Sequence, residues 1–455
     1  MILKRIKSEG IAHISYFLAS GNEACVIDPR RDAKIYLEKA WKAQANIKYI
    51  FETHRNEDYV IGSLEIAENI DVDIYHGPGL DWKYGTTLED GQEFELGNLK
   101  IIAIHTPGHT DESMSYAVYD TTSGENAVMV FTGDALFVDD TGRTDMYGPE
   151  EDRRMAKNLY NSIFNKILTL GDQAILLPAH GAGSVCGASI SEREHSTLGL
   201  ERKQNPTLQK DKEKFIDFKM NEHHYFAPYF RMMEKYNLEG APLLKDLPRF
   251  RPMLAGEFRK YVNQGATVLD MRNPSDFAGA HIEGSYNIWL EGLASFAGWT
   301  LSYEKPILLV VKDFANLNEA HKHLLRLGYD NIEGYLVGGI TSWYSSNFPV
   351  NSTELLTAIT LKERIDSNKE TFILDVRSIE ERNEGYIENS KHIYVGNLEE
   401  RLDEVPKDKP IATYCGNGSR ASLAASILDR NGYSEVYTVL GSMKAWKNAG
   451  YPIKK

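Results

Sequence analysis

Six residues able to hold a metal stand at the ends of apolar runs in the first 180 positions. They are His54 and Asp58 in THRNEDYV, His105 and His109 in HTPGHT, Asp134 in FTGDALF and His180 in PAHG. One histidine at the end of a strand is most often structural; several imidazoles and carboxylates in a fixed order make a ligand set. Two imidazoles and one carboxylate on one face of an octahedron leave three positions open, the arrangement by which non-haem Fe(II) oxygenases bind substrate and O2 side by side.

A second chemistry lies near the C-terminal end. Cys415 opens CGNGSR (415–420), between the apolar run PIATY and the helical run ASLAASILDRNGY. On a strand-to-helix loop, the backbone N–H groups of Gly416, Asn417, Gly418 and Ser419 and the positive end of the helix favour a sulfur anion such as a terminal persulfide. Arg420 follows Cys415 after four intervening residues, a tighter cradle than the C-x5-R ring that closes on phosphate in cysteine phosphatases, and one suited to sulfane sulfur.

These residues need elements to bring them together. ACVIDP (24–29), IKYIFETH (47–54), LKIIAIHTPGH (99–109), AVMVFTGD (127–134) and AILLPAHG (174–181) each read as a strand ending in His, Asp, Gly or Pro. A sheet that aligns those ends would build a site from loops on a rigid scaffold. From about 205 to 247 the pattern becomes irregular and aromatic, which predicts a helical extension packed on the first domain. An internal repeat follows. VLDMRNPSDFAGAHIEGSYNI (268–288) matches ILDVRSIEERNEGYIENSKHI (373–393), and KPILLVVKDFANLNEAHKHLLRLGY (305–329) matches KPIATYCGNGSRASLAASILDRNGY (409–433). Each copy closes on a Gly and a Trp, Gly338 to Trp343 and Gly441 to Trp446. Strands alternating with helices over about 100 residues predict two α/β domains of one fold. Domains are expected at 1–247, 248–352 and 353–455.

In the first copy Val311 takes the place of Cys415 and Asn316 that of Arg420. Without a thiol no persulfide intermediate forms, so this copy is expected to be silent: a spacer, a docking surface or part of an oligomer interface. Asp375 and Arg377 read as structural partners.

The ordered motifs THRNEDY, HTPGHT, FTGDALF and PAHG resemble the metallo-β-lactamase superfamily, and GRTD (142–145) is similar to its persulfide dioxygenase branch. Followed by two rhodanese-like repeats, the order resembles the bacterial persulfide dioxygenase-rhodanese fusions of sulfide detoxification. The resemblance implies an αββα sandwich followed by two rhodanese-like α/β domains. It also implies a single Fe(II) held by His54, His109 and Asp134, and sulfur transfer at Cys415 with Arg420. Iron rather than zinc follows from the resemblance and from the facial triad. Asn56 and Tyr59 stand where the family loop has histidines that hold a second metal in the hydrolases, which places the chain in a sub-branch. Asp58 and His180 are then expected to orient water or the ligands by hydrogen bonds, and His105 to shape the turn before Gly108. Arg143 either anchors an anionic substrate or is buried with Asp145. Cys186, in GAGSVCGASI (181–190), either faces the iron and handles a persulfide or is a small buried hydrophobe. Cys25 reads as core.

The implied reaction takes a low-molecular-weight persulfide of glutathione, coenzyme A, bacillithiol or another thiol, with O2, to sulfite, and then sulfite to thiosulfate. Two other readings stay open: a two-metal thioester hydrolase of the hydroxyacylglutathione type, and a persulfide carrier or sensor that consumes no O2. The chain has 455 residues, 42% hydrophobic and 25% charged, which allows two to four domains. Its net charge of -14 gives no sign of a basic face for nucleic acid or anionic membrane. No apolar run approaches the ~20 residues that span a bilayer. The opening stretch with Lys4, Arg5 and Lys7 is expected to be a strand rather than an export signal. Three widely spaced cysteines do not form a disulfide framework and suggest a reducing cytoplasm. The fold often pairs, which leaves a homo-oligomer open.

Overall fold

The structure, a computed structural model, describes residues 1–455 except Ala188 and Arg249. The chain forms two compact units. The first comprises Met1–Asp246 with Leu325–Gly328, the second Leu247–Leu324 with Tyr329–Lys455.

Apolar strands, buried along nearly their whole length at the centre (His13–Ser20, Ala127–Gly133) and alternating in burial at Glu93–Leu96, build the first unit from two six-stranded sheets. One runs in chain order through β1 (Ile2–Ser8), β2 (His13–Ser20), β3 (Glu23–Ile27), β4 (Asn46–Phe51), β5 (Asp73–His76) and β6 (Thr86–Thr87). The other contains β7 (Glu93–Leu96), β8 (Leu99–His105), β9 (Met114–Asp120), β10 (Ala127–Gly133), β11 (Ile175–Pro178) and β12 (Ser196–Thr197). Between them Tyr16, Leu18, Cys25, Phe51, Phe94, Tyr116 and Phe131 form the inner core. Cys25 is part of this core, and burial pushes its thiol up. Helix Lys34–Ala43 lays Tyr36 and Ala40 on the outer face of the first sheet. Leu159 of helix Asp152–Ser162 and Phe215 of helix Lys212–Met220 cover the outer face of the second. The result is a four-layer αββα sandwich. The aromatic extension is helical at Lys212–Met220 and Phe230–Glu239.

Two glycines carry the turns that deliver the ligand candidates. Gly133 has φ +52°, and a Cβ there would lie 2.7 Å from Thr53 Cβ, so only glycine lets the strand end meet Thr53. At Gly108 a Cβ would lie 2.3 Å from Leu159 Cα, so the HTPGH turn rests directly on helix Asp152–Ser162.

In the second unit each repeat forms a five-stranded parallel sheet of one topology. The first joins β13 (Arg251–Met253), β14 (Thr267–Asp270), β15 (Tyr286–Asn287), β16 (Ile307–Val310) and β17 (Ile332–Leu336) in the order β13-β17-β16-β14-β15. The second joins β18 (Glu354–Leu356), β19 (Phe372–Asp375), β20 (Lys391–His392), β21 (Ile411–Tyr414) and β22 (Val436–Val439) in the order β18-β22-β21-β19-β20. The two copies touch. Asn287 on edge strand β15 accepts from Ser422 Oγ at 2.6 Å, and its N–H donates to Ser426 Oγ at 3.0 Å. Both serines lie on helix Ser419–Arg430, which follows the Cys415 loop. Among the described residues no helix is long and apolar enough to cross a membrane.

Candidate functional site

His54 follows β4 by three residues, His109 follows β8 by four, Asp134 follows β10 directly and His180 follows β11 by two. All four are fully buried. The Nε2 atoms of His54 and His109 lie 3.8 and 3.7 Å from Asp134 Oδ2. Neighbouring ligands of one first-row ion, each about 2.1 Å from it, sit about 3.0 to 3.4 Å apart, so a slight contraction closes the three around a single ion.

Hydrogen bonds place a proton on Nδ1 of each ring and leave Nε2 turned towards Asp134. Thr53 has one hydroxyl proton and gives it to Asp28 Oδ2 at 2.8 Å; its oxygen, 2.9 Å from His54 Nδ1, therefore accepts from that ring. His109 Nδ1 donates to Arg143 O at 3.0 Å. With Nδ1 protonated in each ring, Nε2 is the nitrogen left for a metal; at His109 burial works against charge, but Glu57 outweighs it and raises the imidazole to about 9, so a proton on that Nε2 gives way when an ion binds. His54 Nε2 is buried without a hydrogen-bond partner, an orphan that an ion satisfies. Asp28 supports this relay from the left-handed region, φ 49°, a strain characteristic of functional sites. Burial raises its carboxyl to about 7.

His180 is engaged at both nitrogens: Nδ1 lies 2.8 Å from Asp134 Oδ1, and Nε2 3.0 Å from Asp58 Oδ2. Burial works against charge on this ring, but Asp134 and Asp58 outweigh it and hold the imidazole protonated well above its ordinary range. It orients the Asp134 carboxylate. Asn56 turns back to donate to His54 O at 3.1 Å, and the Tyr59 ring stacks on His13 with centroids 3.9 Å apart. The Asn56 amide nitrogen and the Tyr59 ring are thus engaged by other groups, while Asn56 Oδ1 is buried without a hydrogen-bond partner. His105 Nε2 donates to Asp111 O at 2.7 Å, across the HTPGHT turn.

Glu57 faces the set. Its Oε1 lies 3.2 Å from His109 Nε2, and Cys186 Sγ is 3.4 Å from the same oxygen. Burial would raise the Glu57 carboxyl, but His109, His54 and Arg143 outweigh it and hold it well below the usual carboxylate range. Burial and then the Glu57 charge push the Cys186 thiol well up. Ala188, in the same loop, lies outside the described residues. Arg143 is buried, paired in fork geometry with Asp145 at 2.6 and 2.8 Å, and donates to Val185 O and Tyr225 O. The extension locks this loop in place. Asn237 donates to Asn56 O at 2.6 Å and Tyr59 O at 2.8 Å and accepts from Ile61 N–H, while Tyr229 Oη donates to Asp58 O.

In the second unit Cys415 directly follows β21 and is buried; its Sγ accepts from Gly418 N–H at 3.1 Å. Its own N–H donates to Ser442 Oγ at 3.1 Å. Asn417 Oδ1 accepts from Ser419 N–H at 3.2 Å. Arg420 forms a two-pronged pair with Glu381, at 2.5 and 2.7 Å. Asp375 is bound by Arg377 at 2.9 and 2.7 Å and by Tyr414 Oη at 2.8 Å.

Residues 11–180 match the metallo-beta-lactamase superfamily, and residues 254–346 and 357–449 each match the rhodanese-like domain. An uncharacterized protein of Mycobacterium tuberculosis (strain ATCC 25618 / H37Rv) is 36% identical over 223 residues, which cover 43% of this chain and 92% of that protein. The chain belongs to the metallo-beta-lactamase superfamily. Within it, this chain carries two rhodanese-like domains as well. A mitochondrial persulfide dioxygenase of Bos taurus is 28% identical over 205 residues, covering 43% of this chain and 70% of that one. The crystal structure of a metallo-beta-lactamase from Staphylococcus aureus subsp. aureus COL aligns with TM-score 0.67 and 29% identity, over 74% of this chain and 98% of that one.

Sequence reasoning passed over four residues of these two sites. Glu57 lies inside the quoted loop beside Asp58, and Asp28 lies at the end of one of the five strands. Glu381 and Ser442 are distant in sequence from CGNGSR, and no local signal ties them to it.

Proposed function

We propose that this chain is a non-haem iron persulfide dioxygenase joined to a rhodanese-type sulfurtransferase. The reading is supported above all by one observation: the Nε2 atoms of His54 and His109 converge on Asp134 Oδ2, and His54 Nε2 is buried with no hydrogen-bond partner. One Fe(II) per chain, held by these three residues, supplies the redox chemistry that activates O2 beside a bound sulfur anion. The overall reaction balances as RSSH + O2 + H2O → RSH + SO3²⁻ + 2H⁺. The four electrons lost by sulfur reduce O2.

The protein's own residues prepare that step. Thr53 and Asp28 fix the His54 tautomer, Arg143 O fixes His109, and protonated His180 orients Asp134. Arg143, its N–H groups held by Asp145 and two carbonyls, acts on an anionic persulfide through its charge rather than by direct contact. Cys186 stands beside the ligand set as a buried thiol that donates to Glu57, and its raised pKa favours the structural role over sulfur transfer. Tyr225 O and the Tyr229 hydroxyl tie the extension to Arg143 and to the Asp58 backbone beside the site.

Sulfite then accepts sulfur from Cys415 loaded by a second persulfide: Enz–S–S⁻ + SO3²⁻ → Enz–S⁻ + S2O3²⁻. Backbone N–H groups of Gly416 to Ser419 stabilise the sulfur anion and Arg420 meets the acceptor. Joining both sites in one chain raises the effective concentration of sulfite near its acceptor. The persulfide is carried by glutathione, coenzyme A, bacillithiol or a similar thiol, in the cytoplasm.

A second reading has a specific observation in its favour. Asp58, His180 and Cys186 also form a potential ligand group, as a two-metal thioester hydrolase would need. Both His180 nitrogens, however, are taken by carboxylates. The deciding experiment measures O2 uptake by the iron-loaded chain with glutathione or coenzyme A persulfide, with sulfite and thiosulfate assayed. Rapid uptake is expected, ending in thiosulfate for the native chain and sulfite for Cys415→Ser. Two metals per chain with cleavage of a glutathione thioester would establish the hydrolase. Persulfide transfer without O2 uptake would establish a carrier.

A further inference from the structure

The ligand set of His54, His109 and Asp134 leaves one buried acid without a role. Glu57 is 1% exposed, and both of its carboxylate oxygens point into the same space. Oε1 lies 3.2 Å from His109 Nε2, Oε2 3.4 Å from it and 3.7 Å from His54 Nε2. His54, Glu57 and His109 together can hold an ion, with their ligand atoms within 4.8 Å of one another.

A proton on His109 would satisfy Glu57 and leave His54 Nε2 orphaned. One divalent cation satisfies both imidazoles and both carboxylates at once, and removes the repulsion between the buried Glu57 and Asp134 carboxylates. The loop conformation explains why position 57 faces inward. Asn56 is folded back on His54 O through its side chain at 3.1 Å and its N–H at 3.0 Å, and Asn237 of the extension grips Asn56 O. The backbone therefore presents residue 57 where the loop would otherwise offer residue 56.

We propose that Glu57 is a fourth protein ligand, giving a two-histidine, two-carboxylate set in place of the imidazole lost at Asn56. The inference rests on the metal site of the proposed function. A second carboxylate neutralises the charge of a divalent ion and hardens the donor set, which favours Fe(II) or Mn(II) over softer ions. It leaves two open positions on an octahedral ion instead of three, enough for one sulfur anion and O2.

The test uses the full chain loaded with Fe(II), and with Co(II) as a spectroscopic probe. Affinity is measured by chelator competition and the ligand shell by X-ray absorption, for the native protein, Glu57→Gln and His54→Ala. One equivalent of metal is expected in the native chain. His54→Ala should abolish tight binding, and Glu57→Gln should weaken it by about 100-fold with one fewer oxygen neighbour and an altered Co(II) spectrum. Melting of the metal-free proteins checks that the variants fold; Glu57→Asp, which keeps the charge and withdraws it by one methylene, replaces Glu57→Gln if that variant does not. Unchanged affinity and ligand shell in the folded variant would overturn the role of Glu57 and leave the three-residue site standing. A native chain that takes up no metal would overturn the metal site itself, and Glu57 with it.

Discussion

The two rhodanese-like copies share a sheet order and differ in the loop that does chemistry. Asp270–Arg272 and Asp375–Arg377 form the same buried pair, with closest contacts of 2.6 and 2.7 Å. Trp343 and Trp446 each donate to a proline carbonyl six residues on, Pro349 at 2.7 Å and Pro452 at 2.9 Å. At the loop the copies part. Asp313 accepts from Asn316 N–H at 3.1 Å, so the helix Phe314–Arg326 is capped by its own carboxylate. In the other copy neutral Asn417 stands at that position and accepts from Ser419 N–H, and Gly418 N–H donates to Cys415 sulfur. A helix start favours one anion. The first copy supplies that anion from its own chain; the second keeps the place for a sulfur anion.

The largest expected effect is at the thiol. Cys415→Ser should lower sulfur transfer by at least about 1000-fold, because no other group in the loop can carry sulfur. Adding Val311→Cys to that variant should restore nothing measurable, since Asp313 occupies the helix start and Asn316 brings no positive charge. Transfer assays with thiosulfate and cyanide separate the outcomes, and rescue by Val311→Cys would show that the first copy lacks only its thiol.

The shared framework gives the next prediction. Removing one partner of a buried ion pair costs about 3 to 5 kcal/mol, so Asp270→Asn and Asp375→Asn should each lower stability in urea titrations by that order. The second should cost more, because Asp375 also accepts from Tyr414 and Arg382. Equal losses would mean that these extra bonds add nothing.

Much of this was legible in the sequence, for identifiable reasons. The strand-end motifs and the repeat are local signals: by themselves they gave strand ends meeting on a sheet and two α/β domains of one fold, and the family resemblance they carry implied the αββα sandwich and the rhodanese-like domains. Cys25 fell in the core because an apolar strand context is also local. Glu57, Asp28, Asn237, Glu381 and Ser442 could not be read in this way. Each meets its site through a turn or a partner far along the chain, and the inward turn of Glu57 depends on Asn237, 181 residues beyond Asn56.

Ser442 carries strain only where chemistry is proposed. It has φ 43°, while Gly339 takes the corresponding place in the first copy with φ 58°, a conformation that costs glycine little. The serine hydroxyl accepts from Cys415 N–H and donates to Val439 O at 2.6 Å. Ser442→Gly should relieve about 1 kcal/mol of strain and lose a hydrogen bond worth about as much, so stability should change little. Transfer should fall by roughly 10-fold, an effect of about 1.4 kcal/mol on the barrier, as the Cys415 backbone loosens. A full loss of stability instead would make Ser442 a purely structural residue.

The smallest effect should come from Glu381, and it tests what Arg420 is for. Its carboxylate is tied to Arg420 at 2.5 and 2.7 Å and to Ser378 N–H at 3.1 Å, capping the helix Ile379–Asn383. Asp276 corresponds to it in the first copy and faces Lys312 at 3.9 Å, because Asn316 offers no charge. Glu381→Gln keeps an oxygen for the cap while freeing the guanidinium charge for an anionic acceptor. The pair is partly exposed, so the gain is limited to about 1 kcal/mol or less. KM for sulfite should therefore fall by a few-fold with kcat unchanged, and the difference should shrink at high salt as the charge is screened. If KM does not move while Cys415 remains active, sulfite does not meet Arg420, and the Glu381–Arg420 pair holds the loop in shape just as Asp375–Arg377 holds the sheet.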